Sequence, residues 1–240
     1  MTEALRLSKR ITEQFNCSRR EAELLIEGGW VMVDGEVVEE PQFMVQEQTL
    51  TLHPDATVEP SPPATLLLHK PAGYDSGAGS KPALALITAA SHIADDPARI
   101  RLLKKHFARL NPVLPLEAAA SGLLVFTQDY RVARKLIDDA YKIEQEFIVE
   151  VSGTIAPDGL KMLNHGLDFE GMVLPPIKVS WQNETRLRFA LKTPRPGQIV
   201  AMCSRVGLVV VSMKRIRIGR ISMGSLQPGQ WRYLPHHEKF

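Results

Sequence analysis

Cysteine is scarce in this chain: Cys17 and Cys203 are its two thiols, and they lie far apart. Such spacing offers neither a disulfide framework nor a metal-binding cluster, and it suits a reducing compartment. Long apolar runs are also missing. Stretches such as 207–211 fall far short of the roughly 20 residues needed to span a bilayer. The N-terminus carries an early acid, Glu3, and no apolar core, so no secretory leader is expected. Seven histidines and three tryptophans form no recognisable cluster. Membrane, secreted and disulfide-scaffold classes are set aside, leaving a cytoplasmic globular protein with no metal site.

What the chain has is an uneven charge. Its formal net charge is only +2. Residues 1–50 hold five basic groups, Arg6, Lys9, Arg10, Arg19 and Arg20, against ten acidic ones. From Ser204 onward, Arg205, Lys214, Arg215, Arg217, Arg220, Arg232 and Lys239 face only Glu238. A basic stretch interleaved with Val and Ile reads as a charged strand face aimed at an anion, or as a solvated strand edge protected by its cations.

Residues 1–52 read as one small module. Leu7, Ile11 and Phe15 recur at helical spacing, with Arg6 and Arg10 one turn apart on another face. Ser18 and Glu21 fit a capping box at the start of a second helix, which Gly28 and Gly29 end. Asp34-Gly35 between β-branched runs predicts a two-residue hairpin, and residues 49–52 a further strand. Arg19 and Arg20 occupy the first helical turn, where free N–H groups and the helix dipole already favour phosphate. There they point to a nucleic-acid contact.

Pro54, Pro60, Pro62 and Pro63 make residues 53–63 a semi-extended linker. Residues 64–240 are long enough for a second core. Strand-like segments (66–68, 122–126, 146–151, 177–181, 186–191, 208–218) outnumber helical ones (from Asp129 through Ala140, and 198–205). They do not alternate regularly with them, so an α+β fold on a mixed, mainly antiparallel sheet is expected. Glu117 sits among small residues just before the apolar run 122–126, at a loop tip where catalytic groups are common. Residues 77–81 lack the spacing of a phosphate loop. Ser121 has no paired base for hydrolase chemistry, and His236-His237-Glu238 reads as a solvated tail.

Two resemblances add to this reading. Arg6-Leu7, Ser18-Arg19-Arg20-Glu21-Ala22, Ile26, Gly29, Val31, Val33 and Gly35 resemble the small RNA-binding module of ribosomal small-subunit protein four. Lys70-Pro71-Ala72-Gly73, the segment 113–129, residues 146–151, Pro196-Gly197-Gln198-Ile199, Ile218-Gly219 and Trp231-Arg232-Tyr233-Leu234 resemble the RsuA-like RNA pseudouridine synthases in order along the chain. That resemblance implies isomerisation of uridine in structured, most often ribosomal, RNA without a cofactor. It further implies Glu117 as catalytic carboxylate and Phe147 as the ring that stacks the flipped base. The RNA contacts would be Arg6, Arg10, Arg19, Arg20 and Lys70. Several positions differ from the family pattern: Glu117 stands for Asp, Leu114-Pro115 for Gly-Arg, Phe147 for Tyr and Gln145 for Lys. Arg195 or Arg205 would replace the missing cations. A monomer is expected, and the competing function is a non-catalytic RNA-binding paralogue, for example in ribosome assembly.

Overall fold

The computed structural model describes residues 4–240 and divides into two units. The first runs to Pro63 and takes back a later segment, Arg101–Arg109; the second comprises Ala64–Ile100 and Leu110–Phe240. The boundary thus falls at the end of the proline-rich stretch. Residues 64–240 are nevertheless not one uninterrupted domain, and Ala56 of the expected linker packs against the first core.

In the first unit, β1 (Leu5–Arg6) leads directly into α1 (Leu7–Phe15), and Asn16 ends that helix at φ 49°. The second helix, α2 (Arg19–Glu27), starts with the expected reciprocal cap. Ser18 N donates to Glu21 Oε2 at 2.7 Å, and Glu21 N donates to Ser18 Oγ at 3.2 Å. Strands β2 (Val31–Val33) and β3 (Glu36–Val37) form the hairpin. Both turn residues take positive φ, Asp34 50° and Gly35 87°, as the tight turn requires. Beyond β4 (Met44–Val45), which pairs with β1, β5 (Leu50–Leu52) completes the sheet in the order β3-β2-β5. Leu7, Ile11, Ala22, Ile26 and Val31 fill the core between helices and sheet, all fully buried. The returning segment is fixed to this unit by Arg101. Its Nη1 donates to Gly29 O at 2.8 Å, and its guanidinium lies 4.0 Å from the Trp30 ring centre.

The second unit is built on one large sheet. Its strands are β6 (Thr65–Lys70), β7 (Asn111–Val113), β8 (Ser121–Thr127) and β9 (Glu144–Gly153). The small hairpin β10 (Asp168–Phe169) and β11 (Met172–Val173) stands apart from it. Then come β12 (Lys178–Trp181), β13 (Arg186–Lys192), β14 (Leu208–Ile218), β15 (Ile221–Ser222) and β16 (Trp231–Tyr233). The order is β12-β13-β9-β14-β8-β6-β16, with β7 added on β8 and β15 on β14. All pairs are antiparallel except β14 with β8, so the fold is α+β with a mixed, mainly antiparallel sheet. Helices α3 (Tyr130–Asp138), α4 (Gly159–Asn164) and α5 (Gln198–Arg205) accompany it. Ile199, Met202 and Cys203 of α5 pack with Phe147, Val149 and Phe189 in one core; Leu67, Leu123, Val125 and Leu136 belong to another.

Those two halves join where β14 pairs with β8 at Lys214 and Arg215. Arg215 of β14 is paired with Phe147 of β9 on one side and with Gly122 of β8 on the other. The backbones approach so closely there that a Cβ on Gly122 would lie 2.2 Å from Arg215 O, and Gly122 sits at φ +113°. Glycine is required on both counts. This junction brings the loop before β8 beside the middle of β9.

Candidate active site

The loop carrying Glu117 is held by its backbone rather than by its side chains. Lys70, at the end of β6, is fully buried. Its Nζ donates to Ala118 O at 3.2 Å and Ala120 O at 2.7 Å, and also to Pro71 O and Tyr74 O at 3.1 and 2.8 Å. Ser76 grips Leu116 from both sides, Oγ donating to its O at 2.6 Å and accepting from its N at 2.8 Å. Arg215, 1% exposed, donates from Nη2 to Leu114 O and from Nε to Leu123 O, both at 2.8 Å. These bonds retain Leu114 at φ 51°, a conformation that costs a non-glycine residue energy.

Burial alone pushes Arg215 down to about 9. Burial first, then the charge of Arg215, lowers Lys70 to about 8, with Asp75 opposing. Both groups are cationic at neutral pH, and both donate to neutral oxygens.

Glu117 itself turns towards α5. Its Oε1 accepts from Gly197 N at 3.0 Å, and Gly197, at φ 73°, is the residue that opens that helix. A backbone N–H at a helix start favours a negative charge. The direct donor to Glu117 is main chain, rather than Arg195 or Arg205, the cations expected for it. Arg205 points elsewhere, its Nη2 3.4 Å from Asp168 Oδ2, and it does not line the cavity. Arg195 does line it, its Nη2 donating to Met172 Sδ at 3.5 Å.

Glu117 and Phe147 share one cavity of about 420 Å³ with Leu114, Pro115, Leu116, Gln145, Thr193, Pro194, Arg195, Pro196, Ile199 and Met213. Glu117 is the sole carboxylate among these residues, and Phe147 supplies an aromatic wall. The resemblance named Glu117, Phe147 and Arg195 and gave Gln145 only as a residue standing for Lys; Arg215, within the basic stretch, had no role assigned to it. One signal was present: Arg215 lies in phase with the buried Met213 on β14, an arginine on an apolar strand face.

The other expected contacts divide. Arg6 is exposed and Arg10 half-buried at the start of α1. Arg19 and Arg20 are largely exposed in the first turn of α2, each paired with Glu23, at 3.0 and 3.9 Å. Lys70 needs correction as an RNA contact, because its ammonium has no exposure and is spent on four carbonyls. Among the described residues no group of three or more His, Cys, Asp or Glu side chains could hold a metal ion, and no helix is long and apolar enough to cross a membrane.

Comparison with known proteins agrees with this architecture. Residues 5–49 match the S4 domain family. An uncharacterized RNA pseudouridine synthase of Aquifex aeolicus is 28% identical over 98% of this chain and 94% of its own length. Ribosomal large subunit pseudouridine synthase B of Bacillus subtilis is 28% identical, covering 97% of this chain and 93% of that protein. Ribosomal small subunit pseudouridine synthase A of Escherichia coli is 26% identical over 98% of each. A crystal structure of pseudouridylate synthase superposes with a TM-score of 0.60 at 19% identity, over 96% of each chain. Residues 5–49 are thus similar to S4 domains, the chain has the fold of that pseudouridylate synthase structure, and from end to end its sequence is similar to proteins named as RNA pseudouridine synthases.

Proposed function

We propose that this protein isomerises uridine to pseudouridine in structured ribosomal RNA, as a cytoplasmic monomer without a cofactor, and that Glu117 is the carboxylate that acts at the ribose. The observation carrying the proposal is a lone carboxylate, anchored by Gly197 N, on the wall of a largely apolar cavity in a protein related throughout its length to such synthases.

The reaction breaks the bond from the anomeric carbon to N1 and forms one to C5. The C5 proton is lost and N1 gains one, so atoms balance without an oxidant or second substrate. A nucleotide in a stack must first be everted, at a cost of a few kcal/mol. Phe147 offers the everted ring a face to pack on. Glu117 then acts as nucleophile at the anomeric carbon or as base at its neighbour. Because Phe147 has no hydroxyl, Glu117 is also the one lining side chain ready to take the proton from C5. Arg195 is available for a phosphate, and Arg6, Arg10, Arg19 and Arg20 of the S4 domain for flanking RNA.

The test is incubation of the purified protein with ribosomal RNA transcribed without modifications, followed by nucleoside mass spectrometry. Pseudouridine is expected with the wild type and none with Glu117→Gln. No product at stoichiometric protein would reject the enzyme and leave an RNA-binding protein; product from the variant would reject Glu117.

A further inference from the structure

Of the side chains lining the cavity, Gln145 has its orientation dictated by a neighbour. Arg215 Nη1 donates to Gln145 Oε1 at 2.9 Å. A guanidinium has donors only, so this amide cannot be turned round, and its Nε2 must face away from Arg215. Gln145 is 2% exposed, and Nε2 has no hydrogen-bond partner among the described residues. No buried side-chain nitrogen or oxygen among those residues is left without a partner. This nitrogen must therefore reach open space, and the open space that Gln145 lines is the cavity. Leu114, Phe147, Ile199 and Met213 surround it with apolar surface. A donor fixed in such a wall is costly unless something accepts from it.

We propose that Gln145 reads the everted base by donating from Nε2 to O4 of uracil. The inference deepens the proposed function and rests on it for the identity of the RNA substrate. Cytosine carries an amino group where uracil has O4, so there two donors would oppose each other. A site built around one fixed donor discriminates against a base that cannot accept from it. Arg215 touches no base in this scheme; it is a positioning residue that keeps the amide from rotating.

The experiment is an NMR titration of the full chain with uridine 5′-monophosphate and, separately, cytidine 5′-monophosphate. It follows the side-chain amide signals of Gln145, assigned by their loss in Gln145→Glu. That variant keeps an acceptor for Arg215 and removes the donor. Its carboxylate accepts only, so it opposes uracil O4 and can accept from the cytosine amino group, and the ratio of the two affinities reports base reading. In the wild type, uridine monophosphate is expected to move these signals and to bind at least roughly tenfold more tightly than cytidine monophosphate, the worth of about one buried hydrogen bond. In Gln145→Glu the preference is expected to vanish or reverse towards cytidine monophosphate while the melting temperature holds. The inference is overturned if neither nucleotide moves the amide, if both move it alike, or if Gln145→Glu keeps the preference. Failure of the wild type to form pseudouridine would instead count against the proposed function, since the titration requires no turnover.

Discussion

At the scale of single residues, Lys70 and Glu117 show how main-chain and side-chain contacts share the work. Lys70→Met keeps most of the side chain's apolar stem but leaves four carbonyls without their donor. Thermal denaturation should show a loss of about 3 kcal/mol, and pseudouridine formation should fall by roughly a hundredfold as the loop loosens. The pH response follows from the lowered value of about 8. Between that value and the ordinary lysine value the folded chain binds fewer protons than the unfolded one, so this group's linkage contribution to stability grows as pH rises. Activity should do the opposite and fall as pH passes about 8, because a neutral amine has two hydrogens for four acceptors. A pH–rate profile that falls while the Tm contribution of this group, read as the difference from Lys70→Met, rises over the same range checks both statements. Glu117→Asp restores the residue usual in the family but shortens the reach to Gly197 N, 3.0 Å away in the wild type. Single-turnover rates should drop about tenfold or more, not rise.

At the scale of elements, local signals were legible and distant ones were not. The start of α2 could be read because Ser18 and Glu21 are three residues apart. Ser18→Ala should cost about 1 kcal/mol in chemical denaturation. Arg19→Ala combined with Arg20→Ala should weaken RNA binding and reduce the salt slope of log affinity by about 1 to 2; an unchanged slope would remove these residues from the interface. The start of α5 was equally visible as a helix, yet its use was not, since Gly197 and Glu117 are separated by 80 residues. The charges on β9, β13 and β14 were visible too, but only strand pairing discloses that Glu146 meets both Arg217 and Arg188. Arg217 is the chief cause that holds Glu146 below the ordinary glutamate value. Its stabilisation is complete above that ordinary value and is lost as pH falls through the folded-state value. Glu146→Gln should cost about 2 kcal/mol at neutral pH, with Arg188 half exposed, and should flatten the acid side of the stability curve.

For the whole molecule, strand positions were readable from alternation, whereas partners were not. Nothing in residues 208–218 announces that the segment pairs with β9 along its length and with β8 at Lys214 and Arg215. The return of Arg101–Arg109 to the first unit was hidden for the same reason. Leu103 and His106 are 3% and 2% exposed, so a chain beginning at Ala64 should bare apolar surface and aggregate more readily than the full chain. Light scattering of the two proteins at equal concentration measures this.

The loop of Glu117 is fastened by Lys70 and Arg215 through peptide oxygens, which every amino acid possesses. Anchorage of that kind is blind to sequence. It explains how Leu114 and Pro115 can stand where the family pattern implied by the resemblance has Gly-Arg while the chain keeps its path. Residues 114–120 accordingly form a replaceable cassette: grafts from related proteins would dock on the same two cations, so new chemistries could be tried in this cleft without rebuilding its frame.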